Sequence, residues 1–213
     1  MRAVLTAALL LFAGSCAEKT FTEMVHVPPR EGYEARLAEF RAIRDDYFAA
    51  DPESPLLPEE RESFAGLEYF ELDSSLYFVG DLQLYIEPEK LQLATTSGRI
   101  RDAERIGFVA FRIDGQPHRL QVYRLADGSG ELFLPFQDLT TGRDTYPAGR
   151  YLNLIPSSQA GPYVLDFNLA YNPSCAYGGA ERFACPVTPP ENRLDVRVAA
   201  GERGRHDVEL QGG

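Results

Sequence analysis

Residues 171–186 read YNPSCAYGGAERFACP, a stretch whose cysteines and hydrogen-bonding side chains could brace a fold, bind a ligand or carry a reaction. Cys175 and Cys185 bracket nine residues. Joined, they close a short loop and stabilise the fold by about 2.5–3 kcal/mol, because the cross-link removes conformations from the unfolded chain. As metal ligands they lack two further donors, and no histidine lies close enough in sequence to supply them. A redox pair of the C-x-x-C kind needs a much tighter spacing. The spacing therefore favours a disulfide. Unjoined, Cys175 is a candidate nucleophile.

Polar groups gather on both sides of this stretch. Upstream, residues 134–154 place Asp138, Arg150 and Tyr151 among threonines and glycines. Arg150 and Tyr151, at the start of a strand, could hold a carboxylate or another polar ligand, since arginine pairs with such groups in a bidentate fork. An internal pair of Arg150 with Asp138 or Asp144 meets the same geometry without a ligand, and ion-pair networks of this sort are the commoner outcome. Within residues 165–194, Asp166 and Asn168 are two apart, on one face of an expected strand. Tyr171, Asn172, Tyr177, Glu191 and Asn192 follow. Asp138, Arg150, Tyr151, Asp166, Asn168, Tyr171, Asn172, Tyr177, Glu191 and Asn192 are thus the candidate ligand-binding set. In a hydrolytic reading, Glu191 or Asp166 is the general base, with Cys175 as a candidate nucleophile.

Other chemistries find little support. The chain has three histidines, His26, His118 and His206, of which only His118 falls inside the expected fold, so neither a Ser-His-Asp triad nor a histidine-rich metal site is foreseen. Phosphate-loop and dinucleotide-binding spacings are absent, and no cofactor or metal is expected. A formal net charge of −11 with no basic stripe disfavours nucleic acid and anionic lipid as partners.

The elements that must position these groups are mostly strands. Apolar residues at Tyr33, Leu37, Phe40, Tyr47 and Phe48 predict an amphipathic helix ended by Asp51-Pro52. Pro58 suits the first position of a short second helix. From Gly66 the period changes to two: LEYFEL, SLYFVGDLQLYI, KLQLATT, a hairpin around Asp114-Gly115, ELFLPF, RYLNLIP, YVLDFNLAY and RLDVRVAA. Eight or nine strands without helical crossovers predict a mainly β fold, an antiparallel sandwich or barrel with the N-terminal helix packed on it. The closing GERGRHDVELQGG reads as a frayed tail in which HDVELQ could add an edge strand.

The first sixteen residues, MRAVLTAALLLFAGSC, carry a positive start, an apolar run too short to span a bilayer, and small residues before a cysteine. They predict an export signal. Ala13-Gly14-Ser15-Cys16 is similar to a bacterial lipobox with Ala13 where leucine is usual, which makes Cys16 the lipidation site; cleavage after Ala17 is the alternative. The expected organisation is a signal over 1–16, a tether over 17–32, one domain over 33–203 and a tail over 204–213.

Several segments together carry a resemblance. LFLPFQDLTTGRDTYPAGRYLNL and DFNLAYNPSCAYGGAERFACPVTPPENRL, with YEARLAEFRAIRDDYF and DPESPLLPEERESFAGLEYF before them, are similar to the DUF1684 family over residues 33–203. Tyr171, Asn172, Pro173, Cys175, Ala176, Tyr177, Cys185, Pro186, Pro189, Pro190, Glu191 and Asn192 match its pattern; Leu169 and Asp195 depart from it. The resemblance implies export or a lipid anchor in many members and no defined activity. Members without export signals that retain both cysteines leave a thiol role open. The functional expectation is a cell-envelope protein, held to the membrane through Cys16, with a polar pocket for a small molecule or envelope fragment. A hydrolase-like enzyme and a purely structural envelope protein are the alternatives.

Overall fold

The computed structural model describes residues 21–157 and 161–204, and the described residues contain nine strands in two antiparallel sheets. One sheet comprises β1 (Val25–His26), β2 (Tyr77–Gly80), β8 (Ile155–Pro156) and β9 (Tyr163–Asp166), in the order β1-β2-β9-β8. The other comprises β3 (Gln83–Ala94), β4 (Ile100–Ile113), β5 (Gln116–Leu125), β6 (Phe133–Phe136) and β7 (Arg150–Asn153), in sequence order. Neither sheet closes on itself, so the mainly β expectation resolves to a sandwich-like arrangement rather than a barrel.

Local signals account for much of this. Asp114 and Gly115 both take positive φ, 52° and 76°, as a two-residue turn between right-twisted strands requires. The β4–β5 ladder then runs from Ile113↔Gln116 back to Ala103↔Leu125, with one register shift beside Gly107. Apolar residues from both sheets meet in one core: Phe78 and Leu165 from the first, Val109, Phe111, Leu120, Leu134 and Phe136 from the second. Phe167 fills its centre, its ring 5.3 Å from Phe136 and 5.6 Å from Phe111.

Three helices among the described residues lie outside the sheets. The first, α1 (Tyr33–Ala50), buries only Leu37 and Phe48 completely and reaches the sheets mainly through polar side chains. The second, α2 (Pro58–Arg61), opens on proline as expected, and Glu60 accepts from Leu57 N at 2.9 Å. The third, α3 (Cys175–Arg182), lies within the cysteine stretch, with a kink at Gly179. Among the described residues no helix is long and apolar enough to cross a membrane.

Some expected elements take another form. LEYFEL and RLDVRVAA make one isolated bridge each, Tyr69↔Glu202 and Gln137↔Arg193, and no ladder among the described residues, although Leu194, Val198 and Ala200 are buried. Their apolar pattern reflects covering by the core rather than a strand ladder. The strand through YVLDFNLAY ends at Asp166, where a 3₁₀ turn begins. The tether reading gives way at Met24, which is buried and donates its backbone N–H to Ala110 O at 2.6 Å. His118 is half-buried on Phe111 instead of fully solvated, and burial lowers its pKa. Cys16, His206 and the possible edge strand of the tail lie outside the described residues.

Candidate functional site

Most of the candidate polar side chains turn inward and serve backbone that has no sheet partner. Arg150 is 1% exposed. Its guanidinium donates to Val198 O at 2.8 Å, Glu202 O at 3.3 Å and Ala200 O, and it pairs with Asp138 Oδ1 at 3.3 Å. Asp138 in turn accepts from Val198 N at 2.7 Å and Thr140 Oγ1 at 2.8 Å. Buried backbone groups need partners, and residues 198–202 have no ladder to supply them. One arginine and one aspartate do so here. Burial pulls the guanidinium below its ordinary pKa, with Asp138 acting in the opposite sense.

Asn192 does the same between β5 and β6, which share a single paired position, Tyr123↔Phe133. Its carboxamide accepts from Gln121 N at 2.7 Å and donates to Gln121 O at 2.9 Å and Pro135 O at 2.7 Å. Asn168 pairs with the backbone of Asp73 through both ends of its amide, each at 2.9 Å. Asp166 accepts from Tyr33 Oη at 2.6 Å and from Asn168 N at 3.0 Å, which ties α1 to the end of β9. Burial nevertheless raises the Asp166 pKa. Glu191 lies near the surface, accepting from Arg105 Nη1 at 2.8 Å and Tyr123 Oη at 2.9 Å. Asp166 and Glu191 share no hydrogen-bond partner among the described residues.

Asn172 and Tyr177 converge on a residue that sequence reasoning missed. Glu202 is 1% exposed. Its Oε1 accepts from Arg44 Nε at 2.6 Å, and its Oε2 accepts from Asn172 N at 2.8 Å and Tyr177 Oη at 2.9 Å. The Asn172 Nδ2 donates to Tyr177 Oη at 3.2 Å and Arg203 O at 2.7 Å, while its buried Oδ1 has no partner among the described residues. Gly201 delivers Glu202 to this position. Its φ is +76°, and a Cβ there would stand 2.5 Å from Ala170 O. The available sequence signal was this positive-φ-prone glycine in a segment read as frayed.

Burial raises the Glu202 carboxyl above its ordinary pKa of 4.5, and Arg44 offsets only part of that. A raised folded-state pKa contributes stability that is fully present below the unfolded value and is lost as pH climbs through the folded one. The stability of the parent relative to a non-titrating Glu202→Gln variant should therefore fall as pH rises from about 4.5. Urea midpoints of both proteins between pH 4 and 8 test this, and a pH-independent difference would contradict it.

Cys175 and Cys185 are joined, with an S–S distance of 1.97 Å and Cα atoms 6.3 Å apart. The bridge leaves Cys175 without a thiol to act as a nucleophile. Both half-cystines are buried against Leu93, Phe133 and Tyr151, and Thr96 Oγ1 lies 3.1 Å from Cys175 Sγ. Reduction should lower unfolding stability by about 2.5–3 kcal/mol in the chain-entropy model. Denaturation with and without reductant measures it, and an unchanged midpoint would show the bridge to be dispensable.

Beside the bridge lies a cleft of about 330 Å³. Phe133, Tyr151, Tyr171, Phe183 and Cys185 line it, with Ser174, Arg101, Asp127 and Glu131 adding polar groups. Phe133 and Tyr171 each stand edge-to-face with Tyr151, at 4.7 and 5.8 Å between centroids. The Tyr151 hydroxyl is engaged by Pro186 O, and burial pushes the Tyr171 phenol up to about 12. Neither Arg101 nor Glu131 forms an ion pair among the described residues. Tyr177 borders a different cleft, of about 400 Å³, next to Arg203. The described residues contain no cluster of His, Cys, Asp and Glu able to hold a metal.

A family model described as a protein of unknown function, DUF1684, matches residues 62–203, from before β2 through Arg203. The chain belongs to the DUF1684 family. The DUF1684 match includes both cysteines and every candidate residue of the binding set, whereas Arg44 and Tyr33, on α1, precede it. The solution NMR structure of an uncharacterized protein from Haloarcula marismortui is similar to this chain. It is 37% identical, with a TM-score of 0.64, over 84% of this chain and 97% of that one. No curated protein matches the sequence.

Proposed function

We propose that this DUF1684 protein is an exported cell-envelope protein, anchored through a lipid on Cys16, that binds a small molecule or envelope fragment in the cleft beside the Cys175–Cys185 bridge. One observation carries the choice of cleft. Arg150, Asp138, Asn168 and Asn192 are taken up by internal hydrogen bonds, whereas Tyr151 and Tyr171 line a cavity with aromatic neighbours. Aromatic walls with a few converging polar groups are the usual make-up of a small-ligand site. Arg101 and Glu131 offer both signs of charge at its rim, which suits a ring-bearing ligand with a charged substituent. A disulfide suits an oxidising compartment, in keeping with export.

The test is a ligand-observed NMR screen of small ring compounds, sugars and muropeptide fragments against the folded protein and its Tyr171→Ala variant. Binding to the parent that is lost in the variant supports the cleft. An empty screen with both proteins returns the protein to the structural reading. Export and anchoring are tested separately, by incorporation of a labelled fatty acid into the full chain and its loss in Cys16→Ser.

A further inference from the structure

Four of the exposed large apolar side chains lie along one margin of the sandwich: Phe21 at 47% exposure, Val25 at 59%, Leu84 at 67% and Ile86 at 92%. Leu84 and Ile86 belong to β3, the outermost strand of the five-stranded sheet, and Val25 to β1, the outermost strand of the other. The chain reaches this margin from its N-terminal side. Phe21 packs edge-on against Phe108 with centroids 5.5 Å apart, and Phe108 is paired with Gln83, next to Leu84. The Gln83 side chain donates to Thr22 O at 3.4 Å. Only residues 17–20 separate Phe21 from Cys16, and five steps of fully extended chain span at most about 18 Å.

Resting on the reading of Cys16 as lipid-modified, we propose that this margin, led by Phe21, Leu84 and Ile86, docks into the interfacial layer of the bilayer that holds the Cys16 lipid. The short reach keeps the margin at the membrane surface, where an isoleucine almost wholly exposed to water gains an apolar cover. Nearby groups suit the headgroup level. Arg119 stacks over Phe108 at 3.5 Å and donates to Tyr85 Oη at 2.8 Å, an aromatic–cation set with apolar bodies and polar tips. Glu23, Glu87 and Glu89 stand along the same margin, which favours a zwitterionic phospholipid surface over an anionic one. Pairing of β3 with a second copy is opposed by Pro88, which lacks an N–H, and by the charged run through Glu87, Glu89 and Lys90.

The chain has no tryptophan, so a single introduced one is an unambiguous reporter. Full-length lipidated protein carrying Ile86→Trp or Leu84→Trp would be purified from membranes and reconstituted into phosphatidylcholine vesicles with and without brominated acyl chains. Ile155→Trp serves as control, because Ile155 lies on β8, the strand at the opposite margin from β1. The expected result is a blue-shifted emission that loses more than about half its intensity to the brominated lipid in both β3 variants, and no shift in the control. Vesicle-attached protein whose β3 reporters are unquenched overturns the docking while leaving the anchor intact. Protein that does not partition into vesicles, and is matched in this by Cys16→Ser, overturns the anchor reading itself. A blue shift without lipid, accompanied by a doubled mass in sedimentation, assigns the margin to a second copy and also overturns the docking.

Discussion

Arg150→Ala is expected to remove about 3–5 kcal/mol of stability, the range for deleting one partner of a buried charge pair. The substitution leaves Asp138 as an uncompensated carboxylate with a side chain fully withdrawn from water, and it takes the guanidinium donors from Val198 O, Ala200 O and Glu202 O. These carbonyls belong to a segment without a ladder, so no neighbouring strand replaces the lost donors. Total stabilities of single domains are commonly about 5–15 kcal/mol, which makes this one change about a fifth of the whole or more. Arg150→Lys should recover little, because an ammonium is a point charge that cannot fork between Asp138 and three carbonyls. Urea titrations followed by far-UV circular dichroism would measure both variants. A loss below about 1 kcal/mol for Arg150→Ala would place the arginine outside the set of residues that hold the C-terminal segment, since that is no more than a typical single hydrogen bond contributes.

The second large effect is expected at Glu202. Glu202→Ala should cost about 3 kcal/mol, the low end of the same range, because Arg44 is 21% exposed and regains part of its hydration. The remaining cost falls on Asn172 N and the Tyr177 hydroxyl, both buried and both left without their acceptor. The change also uncouples three parts of the molecule, α1 through Arg44, α3 through Tyr177, and the closing segment through Glu202 itself. Glu202→Gln should cost less, since its amide oxygen still accepts from Arg44, although its amide nitrogen then meets another donor. Thermal and urea unfolding of the two variants beside the parent provide the measurement. If Glu202→Ala were as stable as the parent, the buried carboxylate would not be what joins these elements.

The elements legible in the sequence were those fixed by neighbours in the chain. The Asp114-Gly115 turn, the helix starting at Tyr33, the proline at the head of α2 and the spacing of Cys175 and Cys185 depend on preferences that act within a few residues. Apolar alternation alone was less decisive. In RLDVRVAA it marked burial of Val198 and Ala200 without a strand ladder, because a covered segment and a paired strand show the same pattern.

The candidate site divides in the same way. Residue types and local clustering placed Tyr151, Tyr171 and Cys185 within one region, and the fold assembles them around a cleft. Residue types alone could not tell a ligand-facing arginine from one that serves buried carbonyls, which is the role of Arg150. Glu202 was out of reach because Arg44 lies 158 residues away in sequence, and no local preference records such a pairing. Sequence by itself determined the β-rich class, the main turns and the helix, since local backbone and burial preferences suffice for those. Tertiary structure decided which polar groups face a cleft and which satisfy buried backbone, because each such group takes its partner from a distant segment that only packing brings near.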